Sequence, residues 1–128
     1  MRDPIPAERY IDLLGIPFER GARGPNSYDC YGLAIEMFRR DGIEVPDFVS
    51  PGTLEEIETL ISDQAKRWIK TPFGVPGTLV TLRVEGLGAH VGYMIDADRF
   101  IHAFEPTGIT TERLTNGSFK AIAAYTYA

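Results

Sequence analysis

The sequence contains only one cysteine and two histidines among its 128 residues, and it has no long hydrophobic run. A single cysteine cannot form an internal disulfide, so the fold needs no oxidising compartment. The apolar runs are too short to span a bilayer, which predicts no membrane insertion. Residues 1–9 lack the apolar stretch of a secretory signal. We therefore expect synthesis in the cytoplasm without a signal peptide.

Basic residues are too few for a protein that binds phosphate backbones. Thirteen Lys and Arg residues stand against 18 Asp and Glu residues, and the formal net charge is -5. Because nucleic-acid-binding proteins usually carry a basic surface, we expect no nucleic-acid partner. The hydrophobic content of 44% and the charged content of 24% are ordinary for a globular protein. The length predicts a single domain over residues 1–128.

Helical patterns fill the first half of the chain. Residues 7–14 predict a short helix. Asp29 is a typical N-cap for a second helix that runs to about Arg40. A capping-box pattern beginning at Thr53, with apolar residues at helical spacing after it, predicts a third helix over residues 53–69.

The second half of the chain predicts strands joined by short links, which favour antiparallel hairpins. Helices followed by such strands indicate an α+β fold, in which N-terminal helices pack on a C-terminal antiparallel sheet. The predicted strands cover residues 78–84, 89–96, 99–105, 109–113 and 121–127.

Cys30 directly follows the predicted N-cap Asp29, so it is expected in the first turn of a helix. Backbone N–H groups and the helix dipole at that position favour the thiolate, which is the reactive form of cysteine. The position therefore predicts a nucleophile. A buried structural cysteine is the alternative, and it is the commoner role of an unpaired cysteine.

The two histidines, His90 and His102, fall in neighbouring predicted strands. If the turn at residues 96–98 contains three residues, Gly92 faces His102 and His90 lies diagonally across on the same face, about 7–8 Å away. A two-residue turn would place the histidines on opposite faces. Cys30 as nucleophile, His90 as base and His102 as orienting residue form a candidate triad. Two ordinary strand histidines, or a metal pair, are the alternatives.

No cofactor motif is present in the sequence. A zinc site needs three or four ligands, and neither the Cys-x-x-Cys nor the His-x-x-x-His spacing occurs. The Gly-x-Ser-x-Gly pattern of serine hydrolases and the Gly-x-Gly-x-x-Gly phosphate loop are also absent. We therefore expect no metal and no cofactor.

Three short motifs, in this order, resemble the NlpC-type (new lipoprotein C) family of cell-wall cysteine peptidases. Residues 28–33 (YDCYGL) are similar to the Asp-Cys-x-Gly-Leu signature of that family. Residues 89–94 (AHVGYM) resemble its His-Val-Gly strand, and residues 99–103 (RFIHA) resemble the next strand, which ends in His-Ala. The resemblance extends over about residues 15–114.

This resemblance implies a papain-like α+β core that cleaves peptidoglycan stem peptides. It implies Cys30 as the nucleophile, His90 as the base and His102 as the orienting third residue. In the family, the residue at the position of Asp29 is associated with binding the free amine of the stem peptide. Tyr31, on the other side of the cysteine, is expected to contribute to substrate binding.

Three positions depart from the pattern of the family. Residues 76–78 (PGT) replace the Pro-Gly-Asp that many relatives have before the central strand. Phe18 stands where many relatives have a tyrosine near the thiol, and Tyr31 stands where many have serine.

The tyrosine after the cysteine and residues 42–47 (GIEVPD) resemble features of one branch of the family. This branch is found in bacteriophage tail-assembly and gene-transfer-agent proteins. This branch implies a virion component that a phage-like tail carries to the cell wall, with tail-tip or hub proteins as partners. We expect docking through helix 53–69 or the edge of strand 121–127.

The leading hypothesis is a peptidoglycan endopeptidase that acts through a thioester on Cys30. One alternative is a structural or interaction module of a phage-like tail tip with a weak or vestigial active site, which the residues Phe18 and Tyr31 suggest. The other alternative is amide or acyl-transfer chemistry on a different substrate, as other papain-like folds catalyse.

Overall fold

A computed structural model describes residues 2–47, 67–86 and 88–128. Within those residues one α-helix precedes six strands, and no helix is long and apolar enough to cross a bilayer. The elements are α1 (Cys30–Arg40), β1 (Trp68–Thr71), β2 (Leu79–Val84), β3 (Gly88–Met94), β4 (Arg99–Phe104), β5 (Gly108–Arg113) and β6 (Phe119–Tyr127).

The strands form one antiparallel sheet in the order β1-β6-β2-β3-β4-β5. Strands β2 to β5 follow one another as hairpins, as the short links between them predict. Strand β6 lies between β1 and β2, and its partners occupy both of its edges. The expectation that residues 121–127 offer a free edge to a partner is therefore wrong for residues 124–127, because these residues pair with β1.

The predicted N-terminal helices are confirmed only in part. Helix α1 begins directly after Asp29 and ends at Arg40, as predicted. Residues 7–14 instead form two short 3-10 helices, Ala7–Arg9 and Ile11–Leu13. They are separated because the backbone of Tyr10 leaves the helical region, with φ -142°.

The predicted helix over residues 53–69 lies mostly outside the described residues. Its last part is wrong, because Trp68 begins strand β1 and pairs with Tyr127 in the sheet. The two rings make an edge-to-face contact with centroids 4.7 Å apart. A tryptophan at helical spacing carries the same apolar signal as a tryptophan in a strand, so only this tertiary contact distinguishes the two structures.

Two apolar clusters lie on opposite faces of the sheet, as the alternation of side chains along each strand requires. Helix α1 packs on one face against β3 and β4. Phe38 of this helix contacts Trp68 and Tyr93 with centroids 5.8 and 5.0 Å away. The other cluster includes Phe100 and Phe119. The sheet and the helix together fix the position of the first helical turn, where Cys30 lies.

Candidate active site

Cys30 is the first residue of α1, and Asp29 caps the helix as the sequence predicts. The backbone N–H of Gly32 donates to Oδ1 of Asp29 at 2.6 Å, and that of Leu33 donates to the Asp29 carbonyl oxygen at 3.0 Å. The cap fixes where the helix begins, and it therefore fixes the position of the Cys30 side chain. This side chain is partly exposed.

The loop that precedes the helix contacts Asp29 from the other side. The backbone N–H of Gly21 donates to Oδ2 at 3.1 Å, and Nη1 of Arg23 donates to Oδ1 at 2.7 Å. Asp29 is only 2% exposed. Glycine is required at position 32 because a Cβ there would lie 2.3 Å from the carbonyl oxygen of Ala22. The glycine of the Asp-Cys-x-Gly-Leu pattern thus allows the loop to pack against the first helical turn.

Arg23 connects this loop to the segment after the helix. In addition to its ion pair with Asp29, its Nε donates to Asp47 at 2.8 Å. Its guanidinium carbon lies 5.9 Å from the ring centroid of Tyr31. Nothing in the sequence predicts this role, because Arg23 lies in an irregular loop and its partners come together only in the tertiary structure.

The two histidines lie on the same face of the sheet and are hydrogen-bonded to each other. Nε2 of His90 lies 2.7 Å from Nδ1 of His102. Tyr93 pairs with Ile101, and this register confirms the three-residue turn at residues 96–98. In the part of the chain that the structure describes, no three His, Cys, Asp or Glu side chains are grouped as ligands for a metal ion.

Strands β3 and β4 separate next to the histidine pair. Their ladder contains two residue pairs, Tyr93 with Ile101 and Met94 with Phe100, although both strands continue beyond it. On its other edge, β3 stays paired with β2 along its whole length down to Gly88. The sheet is therefore open between β3 and β4 on the side where α1 begins.

The backbone of β3 provides a hydrogen-bond donor in this opening. The N–H of Ile95 donates to the carbonyl oxygen of Arg99, on the β4 side of β3. Along a strand, the N–H groups of every second residue point to the same side. The N–H of Val91 therefore also points toward β4, where it hydrogen-bonds to the sulfur of Cys30. The thiol thus lies beside the backbone of the residue that follows His90.

Burial decides the protonation states of the candidate pair. It raises the pKa of the Cys30 thiol to about 11, while the Val91 N–H acts in the opposite direction and the Asp29 carboxylate adds to the increase. Burial also lowers the pKa of His90 to about 4. Both groups are therefore neutral near pH 7. Desolvation is the largest influence on the pKa of Cys30, and it opposes the thiolate that the position at the helix N-terminus predicts.

The pKa of His102 is lowered further, to about 3. Burial is the larger cause, and the positive charge that His90 would carry is the second. The two hydrogen-bonded imidazoles are therefore both in the neutral form, without a positive charge, near neutral pH.

The remaining candidate residues have partners within the fold. Tyr31 is 2% exposed, and its hydroxyl donates to the carbonyl oxygen of Pro46 at 2.6 Å. Phe18 forms an isolated bridge with Tyr28, two residues before the cysteine. The structure thus places Phe18 and Tyr31, two of the departures from the family pattern, close to the start of α1. Contact of Asp29 or Tyr31 with a substrate stays a prediction.

Cysteine peptidases combine a nucleophile, a base and a third group that orients the base, and Cys30, His90 and His102 are the candidates for these roles. Residues 15–125 match the sequence model of the NlpC/P60 family. The chain belongs to the NlpC/P60 family. Members of this family are cysteine peptidases that hydrolyse peptidoglycan.

A curated relative of the chain is an Escherichia coli K12 protein named murein DD-endopeptidase MepS/murein LD-carboxypeptidase. The two are 26% identical over 114 residues, which cover 88% of this chain and 55% of the relative. The chain therefore spans about half the length of the curated relatives it matches.

Solved structures share the fold at low sequence identity. An NLP/P60 family protein of Staphylococcus aureus matches with a TM-score of 0.66 and 21% identity, over 94% of this chain and 39% of that one. The NlpC/p60 domain of the peptidoglycan hydrolase SagA matches with a TM-score of 0.62 and 18% identity, over 94% of each chain. These likenesses show that the sheet and α1 adopt the papain-like α+β fold of the family.

Proposed function

We propose that this chain is a cysteine endopeptidase that hydrolyses peptidoglycan stem peptides. The observation that supports it best is the 2.7 Å hydrogen bond between His90 and His102, next to the point where β3 and β4 stop pairing. A base needs a partner that fixes its tautomer, and this hydrogen bond supports His102 in that role. The murein endopeptidase relative supports peptidoglycan as the substrate.

The first chemical step is attack by sulfur on the scissile amide. The bond to His102 uses Nε2 of His90, so Nδ1 is the nitrogen left to accept a proton. Because thiol and imidazole are both neutral near pH 7, the proton moves from sulfur to Nδ1 as sulfur bonds to the carbonyl carbon. The carbonyl oxygen becomes an oxyanion. The N–H of Cys30, which has no intrahelical partner in the first turn, donates to it.

The second step releases the two products. Protonated His90 donates its proton to the amine nitrogen as the C–N bond breaks, which leaves a thioester on Cys30. A water molecule then gives a proton to His90 and attacks the thioester carbon. The C–S bond breaks, the sulfur recovers the proton from His90, and the carboxylic acid product leaves.

Asp29 contributes to this function through the position of the nucleophile. Its two carboxylate oxygens accept from Gly21, Arg23 and Gly32, which fixes the start of the helix. Asp29 is 2% exposed and its carboxylate already accepts from these three groups, so binding of the free amine of a stem peptide by Asp29 requires a local rearrangement.

A second candidate function is a tail-tip module in which the site is weak or vestigial. The raised pKa of Cys30 favours this alternative, because a neutral thiol reacts slowly. Carriage by a phage-like tail, with tail-tip or hub proteins as partners, stays a prediction from the resemblance. Mass spectrometry of purified tail particles tests it, and absence of the chain from particles would count against it.

Digestion of purified peptidoglycan separates the endopeptidase from both alternatives. The chain and its Cys30→Ala variant are incubated with sacculi, and the soluble fragments are identified by mass spectrometry. The proposed function predicts stem peptides cut at an internal amide bond by the wild type only. Intact stem peptides after prolonged digestion would favour the tail-tip module or chemistry on another substrate.

A further inference from the structure

The side of His102 that faces away from His90 has an unusual environment. His102 is 0% exposed, and its Nδ1 is the atom bonded to His90. Among the residues that the structure describes, none places a hydrogen-bonding atom within reach of its Nε2. Buried polar atoms almost always have a partner, so the surroundings of this nitrogen require an explanation.

Three phenylalanine rings surround the His102 imidazole. Phe119 of β6 is nearly perpendicular to it, at 88° with centroids 5.1 Å apart. Phe100 is also steeply inclined, at 70° and 5.0 Å. Phe104 instead stacks on it at 22° and 5.3 Å. In an inclined pair, a hydrogen in the plane of one ring can point at the face of the other, whereas a stacked pair does not allow this.

The electrostatics of these rings distinguish the two neutral forms of His102. An aromatic face is negative, so it attracts an N–H hydrogen and repels a nitrogen lone pair. If Nε2 carries the hydrogen, Nδ1 is an acceptor, and His90 must donate its own Nε2–H to it. Nδ1 of His90 then has a free lone pair. In the opposite form, His90 carries its hydrogen on Nδ1 and cannot accept the proton of Cys30.

We propose that Phe119, assisted by Phe100, is a positioning residue that holds His102 in its Nε2–H form and thereby keeps His90 in the form that can act as a base. This inference rests on the proposed function for its catalytic meaning. The tautomer itself is a property of the protein without substrate, so it can be measured separately from activity.

The test is nitrogen NMR of histidine in protein labelled with ¹⁵N-histidine, near pH 7. The chain has two histidines, and the His102→Gln variant assigns the signals. We expect His102 to carry its hydrogen on Nε2 and to exchange it slowly with solvent. A hydrogen on Nδ1 of His102 in the wild type would overturn the proposal, even if no variant folds.

Phe119→Leu and Phe104→Leu form a matched pair of variants. Both replace a ring against His102 by leucine, but only the first removes a ring that is steeply inclined to His102. Phe104 is instead inclined to His90, at 70° with centroids 5.8 Å apart. We expect Phe119→Leu to populate the Nδ1–H form and to lower kcat about two- to fivefold at unchanged KM, as expected for loss of one weak N–H to ring contact. Phe104→Leu should keep the wild-type tautomer.

The wild-type tautomer in both variants would overturn the role of Phe119. If the tautomers are as expected but the protein does not cleave peptidoglycan, the proposed function is overturned and the role of Phe119 is supported. The two failures are therefore distinguishable.

Discussion

Nε2 of His90 and Nδ1 of His102 are 2.7 Å apart, although the two residues are twelve positions apart in the chain and a hairpin turn lies between them. This hydrogen bond predicts unequal roles for the two histidines. His90→Gln removes the base and should lower kcat/KM by about 10²–10⁴-fold. In His102→Gln, the amide oxygen can still accept from His90, so the loss should stay below about 100-fold. Steady-state kinetics on soluble stem peptides measure both effects. Equal losses in the two variants would contradict the assigned roles.

The lowered pKa values of the histidines predict that acid destabilises the fold. In the unfolded chain each histidine has its ordinary pKa of 6.5, whereas in the folded chain the pKa is about 4 for His90 and about 3 for His102. Between these values the unfolded chain binds protons that the folded chain does not. The free energy of unfolding should therefore fall with decreasing pH, by up to about 1.4 kcal/mol per pH unit for each histidine. Urea unfolding at pH 7, 6 and 5 measures this slope. His102→Gln should reduce it by about half, and an unchanged slope would show that His102 does not contribute.

The raised pKa of Cys30 predicts the reactivity of the free thiol. Alkylation by iodoacetamide should be slow at pH 7, and it should become about tenfold faster per pH unit toward pH 11, because only the thiolate reacts. Mass spectrometry of samples quenched over time gives the rate, and Cys30→Ala is the control for labelling elsewhere. A fast reaction with a plateau between pH 6 and 8 would instead indicate a preformed thiolate and imidazolium pair.

The ion pair between Arg23 and Asp29 predicts a structural role for the loop. Arg23→Gln removes a cation that lies 2.7 Å from the buried Asp29 carboxylate, which should destabilise the fold by about 1–3 kcal/mol. It should also raise the pKa of Cys30, because Asp29 acts on the thiol. The matched control is Arg20→Gln, which changes an exposed arginine of the same loop. Adding Asp29→Asn to Arg23→Gln should recover part of the loss, and equal stability of the two single variants would contradict this role.

Local signals in the sequence predict the parts of the site that depend on local structure. Asp29 as N-cap places Cys30 at the start of α1. The three-residue turn at residues 96–98 sets the register that brings His90 and His102 together. Both depend on short stretches of chain, for which capping and side-chain alternation are sufficient rules.

The features that depend on long-range packing were not predictable in this way. Trp68 fits a helical pattern, but it lies in the first strand of the chain and pairs with Tyr127 in the last strand. The contact of Arg23 with Asp47 joins two irregular segments that have no shared pattern. The protonation of Cys30 depends on how much protein covers its sulfur, and that is a property of the folded chain alone.

The proposed mechanism requires that Cys30 forms a thioester with the acyl part of a stem peptide. The most direct measurement is turnover of purified soluble stem peptides by the wild type and by Cys30→Ala, with acid-quenched wild-type samples analysed by peptide mapping. We predict turnover by the wild type, an acyl adduct on Cys30 during turnover, and no turnover by Cys30→Ala with an unchanged circular-dichroism spectrum. Cleavage by Cys30→Ala at the wild-type rate would contradict the cysteine mechanism.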